Sequence, residues 1–167
     1  MLKKIDKFVT GKTEKEVKEK LDKDRPNMEG LKISGGLKLT GRDKNGKVLF
    51  VKQQKNLITN NGYDFICDVI GLNTQPSDIT HMALSNGAVG DATATALAAT
   101  ETHRELAAYA HTPGTKIFTL TSTFTDVVAA ISYGCLNAAA DGTLLNTAGF
   151  SSITVDSLEV VMTGTLS

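Results

Sequence analysis

The spacing of apolar residues changes character several times along this chain of 167 residues. Near the front, in a strongly charged stretch, Val17 and Leu21 stand four apart and follow Thr13-Glu14-Lys15-Glu16. That tetrapeptide has the form of a capping box, in which the Thr13 hydroxyl and the Glu16 carboxylate each satisfy a free backbone donor at a helix start. The spacing predicts a helix over about 14–22, supported by the i,i+4 pairs Glu14 with Lys18, Glu16 with Lys20 and Glu19 with Lys23. So short a helix is marginal until it docks. Pro26 ends it, and Arg25-Pro26-Asn27 reads as a linker. The chain divides into an N-terminal basic, helical arm, 1–28, and a β domain, 29–167.

From Leu31 the period becomes two. Leu31 and Ile33, then Leu37 and Leu39, alternate with polar residues around Gly35-Gly36, and Val48-Leu49-Phe50-Val51 supplies a returning strand. Between them Asp43-Lys44-Asn45-Gly46 predicts a hairpin turn, because Asn-Gly tolerates the positive φ that tight turns require. A short, half-buried helix follows. Asn60 or Asn61 can cap it, Phe65, Ile66, Val69 and Ile70 form its apolar stripe, and Gly71 supplies the stop.

After Pro76 the chain reads as strands and loops. Thr80-Met82-Leu84, Phe118-Leu120-Ser122-Phe124, Ile131-Tyr133-Cys135 and Leu158-Val160-Met162 each keep the two-residue period, and abundant threonine suits a pleated surface. Asn86–Asp91 and Ala138–Gly142 are turn-rich, while Asp91–Ala99 reads equally as a helix or an extended surface loop. The runs are too short and too polar on one side for a parallel α/β sheet. The expected fold is mainly β: a jelly-roll-like antiparallel β-sandwich of seven or eight strands with one short internal helix and an N-terminal helical arm.

Composition adds bounds. With 41% hydrophobic and 22% charged residues the chain has enough apolar surface for one packed domain, which excludes wholesale disorder. No apolar run reaches the roughly 20 residues of a membrane helix, and no apolar segment follows the lysine-rich start, so the protein is expected to be made and kept in the cytosol without a membrane partner. The formal net charge of zero hides a segregation. Residues 1–55 carry 16 basic and 8 acidic side chains, whereas residues 56–167 carry 2 basic and 10 acidic. A basic front segment is either a solvated face or a surface that seeks an acidic partner.

Candidate chemistry is sparse. His81, His103 and His111 lie at spacings of 22 and 8, and only His103 has close carboxylate neighbours, Glu101 and Glu105, so surface or rim histidines are the expectation and no metal site is assigned. Asp64 and Asp68 lie off the apolar stripe of their helix and read as solvated charges. Cys67 and Cys135, 68 residues apart, form no metal spacing or disulfide framework, and both read as small buried apolar groups. A phosphate-cradling glycine loop, a G-x-S-x-G elbow and an H-E-x-x-H pair are absent from the sequence. No catalytic residue or cofactor is therefore expected. The arm's lysines could neutralise phosphates, but only Phe8 and Phe50 supply rings before Lys55 and tryptophan is absent, so nucleic acid is not the expected partner.

The stretch Gly41-Arg42-Asp43-Lys44-Asn45-Gly46-Lys47-Val48-Leu49, followed by Lys55-Asn56-Leu57-Ile58-Thr59-Asn60-Asn61-Gly62 and a short helix, resembles the opening of a family of small tailed-phage virion proteins. Its continuation is similar: Ile79–Gly87 as a strand into a turn, a small-residue loop reaching Glu101 and Arg104, the strand Phe118–Phe124, Gly134-Cys135-Leu136-Asn137-Ala138, and a terminal strand Ile153–Leu166. The resemblance covers about 31–167 and leaves out the arm before Pro26. It implies a non-enzymatic virion protein, either a capsid decoration (cement) protein or a tail, neck or baseplate appendage. The small single core and the charged arm favour decoration, with the major capsid protein and further copies of itself, as a homotrimer, for partners. Its place would then be the capsid surface of the virion, assembled in the host cytoplasm. On this expectation the clamp comprises Lys12, Lys15, Lys18, Lys20, Lys23 and Arg25, with Val17 and Leu21 as the apolar anchor.

Overall fold

A computed structural model of the chain describes residues 32–71, 78–97, 101–136 and 142–167. The helix expected over 14–22, and with it every residue of the expected clamp, lies outside the described residues. The elements are β1 (Ile33–Arg42), β2 (Val48–Lys55), β3 (Leu57–Ile58), α1 (Asn60–Gly71), β4 (His81–Ser85), β5 (Glu101–Leu106), β6 (Ala108–His111), β7 (Ile117–Leu136) and β8 (Leu144–Leu166). The domain is mainly β, as its alternating pattern requires, with antiparallel pairing throughout.

The spine is the β7–β8 hairpin. Two runs expected as separate strands, Phe118–Phe124 and Ile131–Cys135, are the two halves of the 20-residue β7, and the terminal strand begins at Leu144 instead of Ile153. Each half of the spine has its own neighbours, giving β2-β1-β8-β7-β6 at one end and β3-β8-β7-β4-β5 at the other. Between the halves Asp126 and Ala129 take φ of 53° and 52°, and the register slips between Val127 and Ala130 and again before Ser132. Left-handed conformations at non-glycine residues cost on the order of 1 kcal/mol or more each. Here they increase the local bend as bulges do, and the Ala129 amide finds a partner by donating to Thr154 Oγ1 at 3.1 Å.

The two halves share one core. Leu37 and Leu39 of β1, Leu120 and Phe124 of β7, and Leu158, Val160 and Met162 of β8 meet Met82 and Leu84 of β4 and Tyr133 and Cys135 of the far half of β7. All are essentially sealed from water. Burying each large side chain contributes roughly 1.5–3 kcal/mol. Val127, Ala130, Ile153 and Val155 carry the core through the bend. A smaller cluster, Ala83, Leu136 and Leu144, covers the other face of the second half, capped by Ala94 and Leu97 from the loop after β4. This loop settles the open reading of Asp91–Ala99: as far as Leu97 it is a turn-rich coil, not a helix. Asp91 Oδ1 accepts hydrogen bonds from the Thr93 amide at 2.8 Å and its hydroxyl at 2.6 Å, which hold the Asp91 carboxyl below its ordinary value. Gly134 leaves the room Leu97 occupies, since a Cβ there would lie 2.8 Å from Leu97 Cδ2.

The first hairpin forms as its turn residues dictate. Gly46 has φ 79°, its amide donates to the Asp43 carbonyl at 2.9 Å, and Asp43 Oδ1 accepts from the amides of Asn45 and Lys47. Helix α1 is capped one residue earlier than expected. Thr59 is the N-cap: its hydroxyl accepts from the Gly62 amide at 3.1 Å and donates to the Leu144 carbonyl at 2.7 Å, fastening the helix start to β8. Gly62 has to be glycine, because a side chain there would run into the Leu145 carbonyl.

Candidate functional site

The most distinctive surface is the β1–β2 hairpin, in which β2 pairs with β1 alone among the described residues. It gathers Lys38, Arg42, Lys44, Lys47, Lys52 and Lys55 on one element, and its single acid, Asp43, is engaged in the turn. Elsewhere among the described residues the only basic side chains are Lys32, Arg104 and Lys116, and Arg104 forms a two-pronged ion pair with Glu101. The sequence asymmetry is therefore preserved in space: a basic hairpin at one side of an acidic body.

Pleating sorts the hairpin's side chains into two faces. Phe50 and Gln54 point inward with Leu37, Leu39 and Gly41. Phe50 lies across Gly41, where any side chain would strike its ring, Lys52 Nζ sits 5.3 Å from that ring's centroid, and Gln54 Nε2 donates to the Gly149 carbonyl at 2.8 Å. The outer face carries Leu49, Val51, Gln53 and Lys55 beside Lys38 and Arg42. Val48, Leu49 and Val51, which as a strand run could equally have been core, are all exposed. At the far end of the hairpin a cleft of about 470 Å³ opens between Gly35, Gly36, Lys55, Tyr63 and Thr163. The Asn56 carboxamide is folded onto Gly35 at its wall. Lys55, the Tyr63 phenol and the Thr163 and Thr165 hydroxyls are the polar groups of a lining that is otherwise largely apolar, with Ile33, Leu57 and Ile58 among its walls.

The residues singled out for chemistry do not converge. Leu84 pairs with His103 and His81 with Leu106, so His81 and His103 stand three positions apart on the ladder and on opposite faces. His103 packs edge-on against Phe124 with centroids 6.3 Å apart, His81 Nδ1 lies 2.8 Å from the Thr80 hydroxyl, and His111, on β6, donates from Nδ1 to the Ile117 carbonyl at 2.8 Å. Among the described residues no group of three or more His, Cys, Asp or Glu is assembled as a metal site would need. The acid and arginine at Glu101 and Arg104 do meet. A register slip beside Thr102 puts Glu101 opposite Ser85 and Arg104 opposite Ala83, on one face, where Arg104 Nε donates to Glu101 Oε1 at 2.6 Å. Asp64 and Asp68 are exposed, as expected.

The cysteines divide. Cys135 is buried, as expected, and burial pushes its thiol up to about 12 and the Tyr133 phenol well above its ordinary value. Both stay neutral at ordinary pH, so neither is an activated nucleophile. Cys67, expected to be buried, is exposed, because α1 rests on β8 through its first turn and leaves Tyr63, Cys67 and Val69 in solvent. Among the described residues no helix is long and apolar enough to cross a membrane. Comparison with protein-family models, with curated proteins and with solved structures finds no match for this chain.

Proposed function

We propose that this protein is a structural component of a tailed-phage virion, a decoration or cement protein that binds the outer capsid surface, contacts the major capsid protein and bridges capsomers as a homotrimer. The observation that carries the reading is the separation of charge: a basic arm and a basic hairpin, contiguous in sequence, on a β body that is otherwise acidic. A β body whose two halves share one main core is suited to bearing load between neighbours. Arms that each bind weakly combine through multivalency when several copies share one particle, and attraction between a lysine-rich segment and an acidic surface weakens as salt rises.

The arm residues Lys12, Lys15, Lys18, Lys20 and Lys23 are the direct test. Replacing all five with glutamate in the full chain should lower binding to capsids that lack the protein by roughly tenfold or more, measured by cosedimentation, with the solution mass of the free protein unchanged. Undiminished binding would contradict the proposed clamp. Labelling that collects at the tail tip instead of the head would favour the appendage alternative.

A further inference from the structure

We infer that the free β2 edge of one copy docks against the free β5–β6 edge of a second copy, so that the protein associates head to tail. Among the described residues, the two ends of the sandwich leave different edges open. In the first half the order β2-β1-β8-β7-β6 places β2 and β6 four strand spacings apart, roughly 19 Å. In the second half β5 pairs with β4 alone and continues into β6 through Ala107, so β5 and β6 form one edge running across both halves. The two edges thus lie on opposite sides of one body and cannot satisfy each other within a single copy.

Both edges expose large apolar side chains that an isolated domain has no reason to present. On β2, Val48 is 44% exposed, Leu49 54% and Val51 52%; on the other edge Leu106 is 71% exposed and Tyr109 65%, with Ile117 beside them at 47%. Apolar residues concentrated on unpaired strands mark an association surface.

Charge decides which edge meets which. Lys44, Lys47, Lys52 and Lys55 line the β2 hairpin, so two β2 edges would bring four lysines against four. The β5–β6 edge has no such row: it presents Glu105 in solvent near its β5 end and a single lysine, Lys116, beside Ile117 at its other end, with Glu101 already compensated by Arg104. Two β2 edges repel, whereas a β2 edge set against the β5 end bearing Glu105 is attracted, which favours a heterologous contact over a two-fold β2–β2 one. A heterologous contact that closes gives a ring, the arrangement a homotrimer requires. The inference does not depend on the virion reading.

The test is the solution mass of the full chain by light scattering. The wild type should be a closed oligomer, and Val51→Glu, at an exposed position, should keep its circular dichroism and raise the dissociation constant roughly tenfold or more. Glu105→Lys should weaken association, and adding Lys52→Glu to it should recover part of the loss. In a Cys67→Ser background, chains carrying Val51→Cys and chains carrying Tyr109→Cys, mixed and oxidised, should form a disulfide-linked pair. A wild type that stays monomeric, a Val51→Glu oligomer of unchanged stability, or preferential linking of Val51→Cys to itself would overturn the inference. A monomeric edge variant that still cosediments with capsids leaves the virion reading intact, whereas an oligomer that ignores capsids removes only that reading.

Discussion

The protein contains two antiparallel hairpins built from the same alternation and put to opposite uses. In β7–β8 nearly every second residue is sealed in the core, from Leu120 and Phe124 through the bend to Tyr133 and Cys135. In β1–β2 only the β1 side is sealed, and β2 shows water three large apolar residues and a row of lysines. The difference arises from neighbours, not from strand propensity. Among the described residues, the spine has a strand on both flanks and a second layer against one face, whereas β2 has β1 alone. An apolar residue stabilises a fold only where something covers it, so the same residue types supply stability in one hairpin and lie exposed to water in the other.

Truncating one residue in each hairpin should separate the two by the widest margin. Phe124→Ala should cost about 3–5 kcal/mol in urea unfolding, the usual result of emptying a sealed aromatic site, while Val51→Ala should stay within about 0.5 kcal/mol in the monomeric protein. Equal costs would mean that β2 is as much part of the core as the spine.

A comparable effect should follow alkaline titration, because the spine buries Cys135. Below about pH 9 its thiol is neutral both folded and unfolded, so its ionisation contributes nothing to stability there. Above that the unfolded chain releases the proton and the folded one holds it until about 12. Stability should therefore fall as pH rises through this window, by on the order of 4 kcal/mol in total for a three-unit difference. Thermal melts of the wild type and Cys135→Ala between pH 8 and 11, relative to each protein's own neutral value, check this: the substitution should flatten the decline. Parallel declines would place the alkaline sensitivity elsewhere, with Tyr133 the next buried candidate.

Much of this architecture is legible in the sequence wherever local chemistry dictates it. Asn45-Gly46 announces the first hairpin, and the alternation at Leu37–Leu39 and Leu158–Met162 announces core strands. One long strand reads as two because the alternation breaks where the register slips around Val127 and Ala130, and the bend there is hidden because Asp126 and Ala129 take left-handed conformations without the glycine, proline or Asn-Gly that marks a turn. The cap at Thr59 is masked by Asn60 and Asn61, stronger cap residues by preference, and is selected by the Leu144 carbonyl from 85 positions away. The same kind of distant contact leaves Cys67 exposed. For the candidate surface, the charge asymmetry is plain in the sequence, whereas the exposure of Val48, Leu49 and Val51 depends on β2 lying at a sheet edge. Strand order is a property of long-range pairing, which periodicity does not encode.

The number of copies per purified particle decides whether the protein coats the phage head, as proposed. Densitometry against the major capsid protein should give a number that scales with capsid surface, in multiples of three at equivalent lattice positions. A handful of copies per particle, matching the symmetry of a tail or neck, would contradict it.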